Sequence, residues 1–270
     1  MPIIHPSAIV DPSAELADDV IVGPWALVEA GAKIGAGCRL LGRAVVGGQV
    51  RMGANNIIGY GVILGGDPQS LGFQSDSPSK VVIGDENIFR EYVTIHRGDK
   101  EGTQTMIGNK NFLMVGAHIG HNTVIGNQVV IANNCLLAGY VEVQDRANLG
   151  GGSVYHQFVR IGKLAMVQGG TRYSKDIPPY LMAYGYNEVS GLNAVGLRRA
   201  GLSSAVRMEL KKAFRLLYRE GLNISQALAE ADKISWSSEV KDFFEFVRQA
   251  KRRGVCHARS IQPNEDEGTD

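Results

Sequence analysis

An aliphatic residue stands at every sixth position from Ile4 to Leu64 without a miss: Ile4, Val10, Leu16, Val22, Val28, Ile34, Leu40, Val46, Met52, Ile58 and Leu64. The series resumes at Ile83, Phe89 and Ile95, then runs from Ile107 to Val167 with Tyr155 and Tyr173 in phase. A fixed short period over so much chain means stacked coils, and six is the period of a parallel β-helix. Each hexapeptide supplies one short strand and a turn, so three make a triangular coil. The aliphatic residue points into the prism, where burial contributes roughly 1.5–3 kcal/mol per side chain. Small residues such as Gly35, Gly59, Gly84, Gly108 and Gly126 follow many of these positions and suit tight corners. The fold class is therefore an all-β solenoid with a helical appendage. The β-helix is expected over residues 1–180, an α-helical domain over 181–259 and a disordered tail over 260–270.

Two stretches break the phase. Residues 65–82 and 97–106 carry Gly, Pro, Asp and Ser but no repeat, and read as loops thrown out from corners of the prism. Long loops on a rigid scaffold are disproportionately functional. After Asp176-Ile177-Pro178-Pro179 the period changes. Residues 203–219 place Val206, Leu210, Ala213, Phe214 and Leu217 at helical spacing behind a Ser203 or Ser204 cap, and residues 224–233 and 237–253 read as further amphipathic helices. Arg198, Arg199, Lys211, Lys212, Arg215 and Arg219 make this cap locally basic, either as a solvated face or as a dock for an acidic partner.

The formal net charge of +1 over 270 residues points away from nucleic acid. No window reaches the ~18 apolar residues of a spanning helix, so no membrane insertion is expected. The start, MPIIHPSAIV, lacks a basic n-region, so no secretory signal is expected. Cys38, Cys135 and Cys256 have no metal-ligand spacing and form no even framework, which fits a reducing cytoplasm.

The chemistry centres on GAHIGHNTVIGN. With Leu113 and Ile119 inward, His118 and His121 can face outward near corners, and His156 lies two coils on. One reading is a zinc site of the kind found in carbonic anhydrase-like members of this architecture. The other is a general base, since an outward imidazole can take a proton from a hydroxyl. Asn122 could orient the ring, although an amide cannot stabilise imidazolium as a carboxylate would. The corner at Leu137-Ala138-Gly139 offers a backbone N–H as an oxyanion donor. That set suits direct acyl transfer from a thioester to an alcohol.

The segments TIHRG (94–98), AHIGHNTVIGN (117–127), ANNCLLAG (132–139), HQFVRIG (156–162), DIPPY (176–180) and GLNAVGLRR (191–199) closely resemble the UDP-N-acetylglucosamine 3-O-acyltransferases of lipid A biosynthesis. The resemblance runs from about residue 4 to residue 255. It implies a left-handed β-helix, a homotrimer with sites between neighbouring prisms, and no cofactor beyond the donor thioester. The donor it implies is a 3-hydroxyacyl chain on acyl carrier protein, and the acceptor is the 3-hydroxyl of UDP-N-acetylglucosamine. By motif position His121 matches the base and Gly139 the oxyanion donor. His118, Gln69, His156 and Gln157 match residues around the sugar and acyl carbonyl, and Asn193 and Arg199 residues near the UDP. Gly169 falls where the family sets acyl length, and a glycine there favours a long chain.

The chain departs from the family pattern where the acceptor would bind. Gln-Asp-Leu-Lys-Tyr is usual in the first loop; here it is Gln69-Ser70-Leu71-Gly72-Phe73, so Ser70 stands for a carboxylate. Tyr140 replaces a histidine, Asn122 the aspartate after the base, Val195 an acidic residue and Ala200 an arginine. Losing a charged partner to substrate typically costs ~1.5–3 kcal/mol. These changes leave room for a paralogous transferase that acts on another nucleotide sugar, such as an amino sugar. A non-catalytic trimer that keeps only the fold is the third reading.

Overall fold

A computed structural model describes residues 1–250 and 253–259. The repeat becomes a prism with three parallel faces, beginning at Ile3–Ile4, Ile9–Val10 and Glu15–Leu16 and reaching 12, 9 and 8 strands. The in-phase residues stack in register: Ile95 pairs with Ile119, Ile119 with Leu137, Leu137 with Tyr155 and Tyr155 with Tyr173. From Val22 to Tyr173 these side chains form the buried core. Ile4 is exposed and Val10 and Leu16 only half-buried, because no coil lies beneath the first one.

Corners stack as the faces do. Asn122, Tyr140 and Phe158 all hold positive φ, at 60°, 61° and 67°. A side chain is strained in that left-handed conformation, so the sharp turn is maintained by coils above and below. A second ladder runs through buried amides: Asn87 donates to Asn56 Oδ1 at 2.9 Å, and its own oxygen accepts from the Asn111 N–H at 2.9 Å.

The loops are shorter than the phase break suggests. Strands Ile63–Gly66, Lys80–Ile83 and Gln104–Ile107 extend into the expected loop ranges and Thr94–His96 borders the second, leaving 67–79 and 97–103. Each strand pair spans the same junction, from the second face to the third. Both loops therefore leave one edge of the prism, one coil apart, and His121 occupies that edge in the next coil.

The helical domain starts later than residue 181. Leu181–Tyr184 continues the first face in parallel with Met166–Val167, and Glu188–Leu192 folds back antiparallel on it. Neither segment keeps the six-residue phase, which is why the sequence pattern hid them. Four helices follow: α1 (Ala194–Arg199), α2 (Ser204–Tyr218), α3 (Ile224–Ala231) and α4 (Ser238–Arg248). Ser203 caps α2, as its sequence suggests, and Asn223 with Gln226 forms a capping box on α3. The short helix α1 was not anticipated; α4 ends before the expected 253. The expected disordered tail, 260–270, lies outside the described residues.

Leu113 is fully buried between coils. Leu113→Ala should lower stability by about 2–5 kcal/mol. Lys110→Ala, which removes an exposed ion pair with Glu86, should cost less than about 1 kcal/mol. Thermal unfolding of the two variants checks the contrast.

Candidate active site

The stacking gives each site residue its place on one edge. Strand pairing sets Thr94 beside His118 on the second face. Thr94 Oγ1 lies 2.8 Å from His118 Nδ1, and the His96 ring meets His118 edge-on at 4.9 Å. Burial, with the neighbouring His118 and His121 rings, pushes His96 down from its ordinary 6.5 to about 4. Burial also lowers His118. Both rings are thus held neutral at pH 7.

His121 sits at the corner just beyond this pair. Its ring faces outward as the frame requires, yet its side chain is only 12% exposed. The 97–103 loop and Tyr140 cover it. Nδ1 lies 2.8 Å from Asn122 Oδ1. The same oxygen accepts the Asp99 backbone N–H at 3.1 Å. A main-chain N–H can only donate, so the amide oxygen is the atom facing the ring. Nδ1 must then carry the hydrogen, which leaves Nε2 with a free lone pair. Tyr140 packs edge-on against the ring at 5.3 Å and stacks on Phe158 at 4.8 Å.

Gly139 is a glycine for a local reason. A Cβ there would lie 2.5 Å from both His121 Cε1 and Nε2. The imidazole therefore rests on the Gly139 backbone, one coil up. The Gly139 N–H donates to no group among the described residues, so it is available to an oxyanion next to the free Nε2.

The other expected residues divide by position. Gln157 and His156 lie two coils above His121 on the same edge, both exposed, with His156 Nδ1 3.4 Å from the Gln157 carbonyl. Gln69 and Ser70 sit exposed in the 67–79 loop. Arg97, nearly buried, ties that loop down: its Nε donates to Asp67 at 2.9 Å, Nη1 to the Ser77 carbonyl at 2.6 Å, and the guanidinium lies 4.8 Å from the Phe73 ring. Gly169, Asn193 and Arg199 are not brought to His121 by this chain. Gly169 occupies the corner between the first and second faces, where a Cβ would meet the Gly151 carbonyl at 2.9 Å; backbone stacking alone thus calls for glycine there. Asn193 caps α1 by accepting from the Gly196 N–H at 3.0 Å and donates to the Leu164 carbonyl. Arg199 is exposed at the end of α1.

Sequence reasoning missed Asp99. Its Oδ2 lies 3.8 Å from His121 Nδ1, and its Oδ1 accepts from the Tyr140 hydroxyl at 2.8 Å. The signal lay one residue past the TIHRG motif, inside a loop already marked as functional. His96, Thr94 and Arg97 were also not singled out. Among the described residues no three His, Cys, Asp or Glu side chains are grouped to hold a metal ion, so His118, His121 and His156 make no zinc site within one chain. A cleft of about 960 Å³ opens beside the corner, between Asn122, Tyr140 and Phe158 on one side and Arg160, Gln249 and Arg253 on the other.

Residues 176–256 match the family described as UDP N-acetylglucosamine O-acyltransferase, domain 2, and residues 104–139 match the bacterial transferase hexapeptide. A Syntrophobacter fumaroxidans protein named acyl-[acyl-carrier-protein]--UDP-N-acetylglucosamine O-acyltransferase is 42% identical over 92% of this chain and 98% of its own. The chain belongs to the UDP-N-acetylglucosamine O-acyltransferase family. A Pseudomonas aeruginosa member with the same name is 40% identical over 93% of this chain and 98% of its own. The solved UDP-N-acetylglucosamine acyltransferase of Bacteroides fragilis superposes with a TM-score of 0.89, at 36% identity over 94% of this chain and 99% of that one. The Francisella novicida enzyme gives 0.88, at 33% identity over 95% and 94%. The prism is thus the left-handed parallel β-helix of this acyltransferase family, and the chain is an enzyme. No helix among the described residues is long and apolar enough to cross a membrane.

The depressed His96 makes stability pH-dependent. Between pH 6.5 and about 4 the unfolded chain binds a proton at this residue that the folded acyltransferase refuses. Stability should therefore fall as pH drops through that window. In His96→Asn the slope should be shallower than in the parent. Melting temperatures measured from pH 7 to pH 4.5 check this.

Proposed function

We propose that this acyltransferase moves a 3-hydroxyacyl chain from acyl carrier protein to the 3-hydroxyl of UDP-N-acetylglucosamine, opening lipid A biosynthesis, with His121 as general base. The observation that carries the reading is the locked tautomer: Asn122 Oδ1 takes the Nδ1 hydrogen, so Nε2 is the basic atom, and it lies against Gly139. Nε2 removes the hydroxyl proton as the sugar oxygen attacks the thioester carbonyl. The Gly139 N–H faces the developing oxyanion. The C–S bond then breaks, and the imidazolium returns its proton to the leaving thiolate. This balanced transfer needs no cofactor beyond the donor thioester. Base catalysis of this kind contributes typically 10²–10⁴-fold.

The sugar side would be formed by Gln69 and Ser70 in the 67–79 loop, His118 on the face, and His156 and Gln157 above. Asn193, Arg199 and Gly169 sit away from this edge, so their part in binding calls for a neighbouring prism, and a homotrimer supplies one. The basic cap around Lys211, Lys212 and Arg215 suits the acidic carrier protein. A cytoplasmic setting agrees with three unpaired, buried cysteines. Ser70 in place of the usual carboxylate favours a second acceptor, an amino sugar nucleotide, as the competing reading.

Acyl transfer to UDP-N-acetylglucosamine from 3-hydroxyacyl carrier proteins of several lengths tests the proposal. His121→Ala should lose about 10²-fold or more in kcat. Gly139→Ala should lose a comparable factor, because its Cβ displaces the ring. Absence of product at every chain length would overturn the acceptor assignment, and full activity in His121→Ala would overturn the base.

A further inference from the structure

The geometry points to Asp99 as the acidic positioning partner of His121, with the Tyr140 hydroxyl holding its carboxylate in place. This rests on His121 being the base. The residue directly after the histidine is Asn122, whose amide fixes the tautomer but carries no charge to offset imidazolium. A carboxylate reaches the same nitrogen from elsewhere. Asp99 lies on the 97–103 loop, one coil before His121, and places Oδ2 3.8 Å from Nδ1. Its side chain is only 16% exposed, as His121's is 12%, so water screens the pair weakly.

Three bonds define where Asp99 stands. Its backbone N–H donates to Asn122 Oδ1 at 3.1 Å, its Oδ1 accepts from Tyr140 Oη at 2.8 Å, and Asn122 N–H donates to Thr105 Oγ1 at 2.8 Å, pinning the corner to the base of the loop. Tyr140 stays a donor throughout the working range, since burial and the neighbouring Asp99 carboxylate push it up to about 12. Its ring is fixed on the other side by the stack with Phe158. Asp99 and Tyr140 thus form a matched pair: the hydroxyl replaces one hydration contact of Oδ1 and leaves Oδ2 toward the imidazole. Of the other titratable groups nearby, His96 feels the His121 ring and is depressed toward the neutral form, as is His118 packed against it on the second face. Asp99 is therefore the one carboxylate that the described structure sets against His121.

The assignment separates two jobs. Asn122 chooses which nitrogen carries the hydrogen, and Asp99 stabilises the positive charge once Nε2 has taken the substrate proton. A short rotation of the ring lets Nδ1–H pass from the amide oxygen to Oδ2 as that charge develops.

The test uses the full-length enzyme in the acyl-transfer assay. Asp99→Asn keeps an acceptor for Tyr140 and removes the charge. It should lower kcat/KM about tenfold or more, with the KM for the sugar nucleotide little changed, and shift the acid limb of the kcat/KM–pH profile to lower pH. Tyr140→Phe should give a smaller loss in the same direction. The double variant Asp99→Asn with Asn122→Asp places a carboxylate directly on Nδ1, and should recover most of the lost rate and the original limb. Parental kcat/KM and profile in Asp99→Asn would overturn the assignment. So would a loss accompanied by a lowered melting temperature that the double variant does not restore, which would mark Asp99 as a loop anchor. His121→Ala runs alongside: if it alone is inactive while Asp99→Asn matches the parent, only the Asp99 assignment falls, whereas an active His121→Ala removes the base itself.

Discussion

Stacking at an interval of 18 residues is the constraint on which the rest depends. Ile119 lies over Leu137 and Leu137 over Tyr155, and each pairing repeats the interval. Because a coil contacts only its neighbours, a corner residue is fixed by its equivalents in the coils before and after it, 18 residues away except where the two insertions lengthen the step, as from Ile95 to Ile119. That is how His121, Gly139 and Gln157, far apart as a linear motif, become one line of groups along an edge. The same rule lets Gly139 serve as the floor under the imidazole. It also fixes Tyr140 beside the corner, where Asp99 of the inserted loop, 41 residues earlier, meets its hydroxyl at 2.8 Å.

The edge is built by interruption as much as by repetition. Two insertions, 67–79 and 97–103, leave between the same two faces in successive coils, so they fold over the corner that follows. Arg97, at the root of the second, reaches into the first and binds Asp67, Ser75 and Ser77. A rigid prism with two mutually tied loops gives a site that is covered without being closed. His121 retains an outward Nε2 while its Nδ1 side is enclosed by Asn122 and Asp99. Enclosure on that side strengthens the electrostatic contacts that set the tautomer.

Much of this was legible in the chain. The phase alone places Leu113, Ile119 and Leu137 inward and turns His121 out, since period and burial are local consequences of one repeat. Ser203 and the apolar face of α2 were readable for the same reason. Asp99 was not, because its position depends on how an aperiodic loop closes, and loop closure leaves no period to read. Asn193 was read through its motif as a nucleotide contact, and the structure gives its side chain a capping role that the motif does not display. The strand Glu188–Leu192 was hidden because it pairs antiparallel, outside the helix phase. The departures at Ser70, Asn122 and Tyr140 become intelligible unequally. Asn122 and Tyr140 join one network around His121, while nothing in the structure explains Ser70.

His121 presents a free Nε2 because its hydrogen is committed to Nδ1. Nitrogen-15 NMR of the imidazoles at a pH where the ring is neutral, assigned by the signal lost in His121→Ala, reads this directly. The Nδ1–H tautomer is the predicted result. An Nε2–H tautomer, with Nδ1 as the unprotonated nitrogen, would rule out Nε2 as the base.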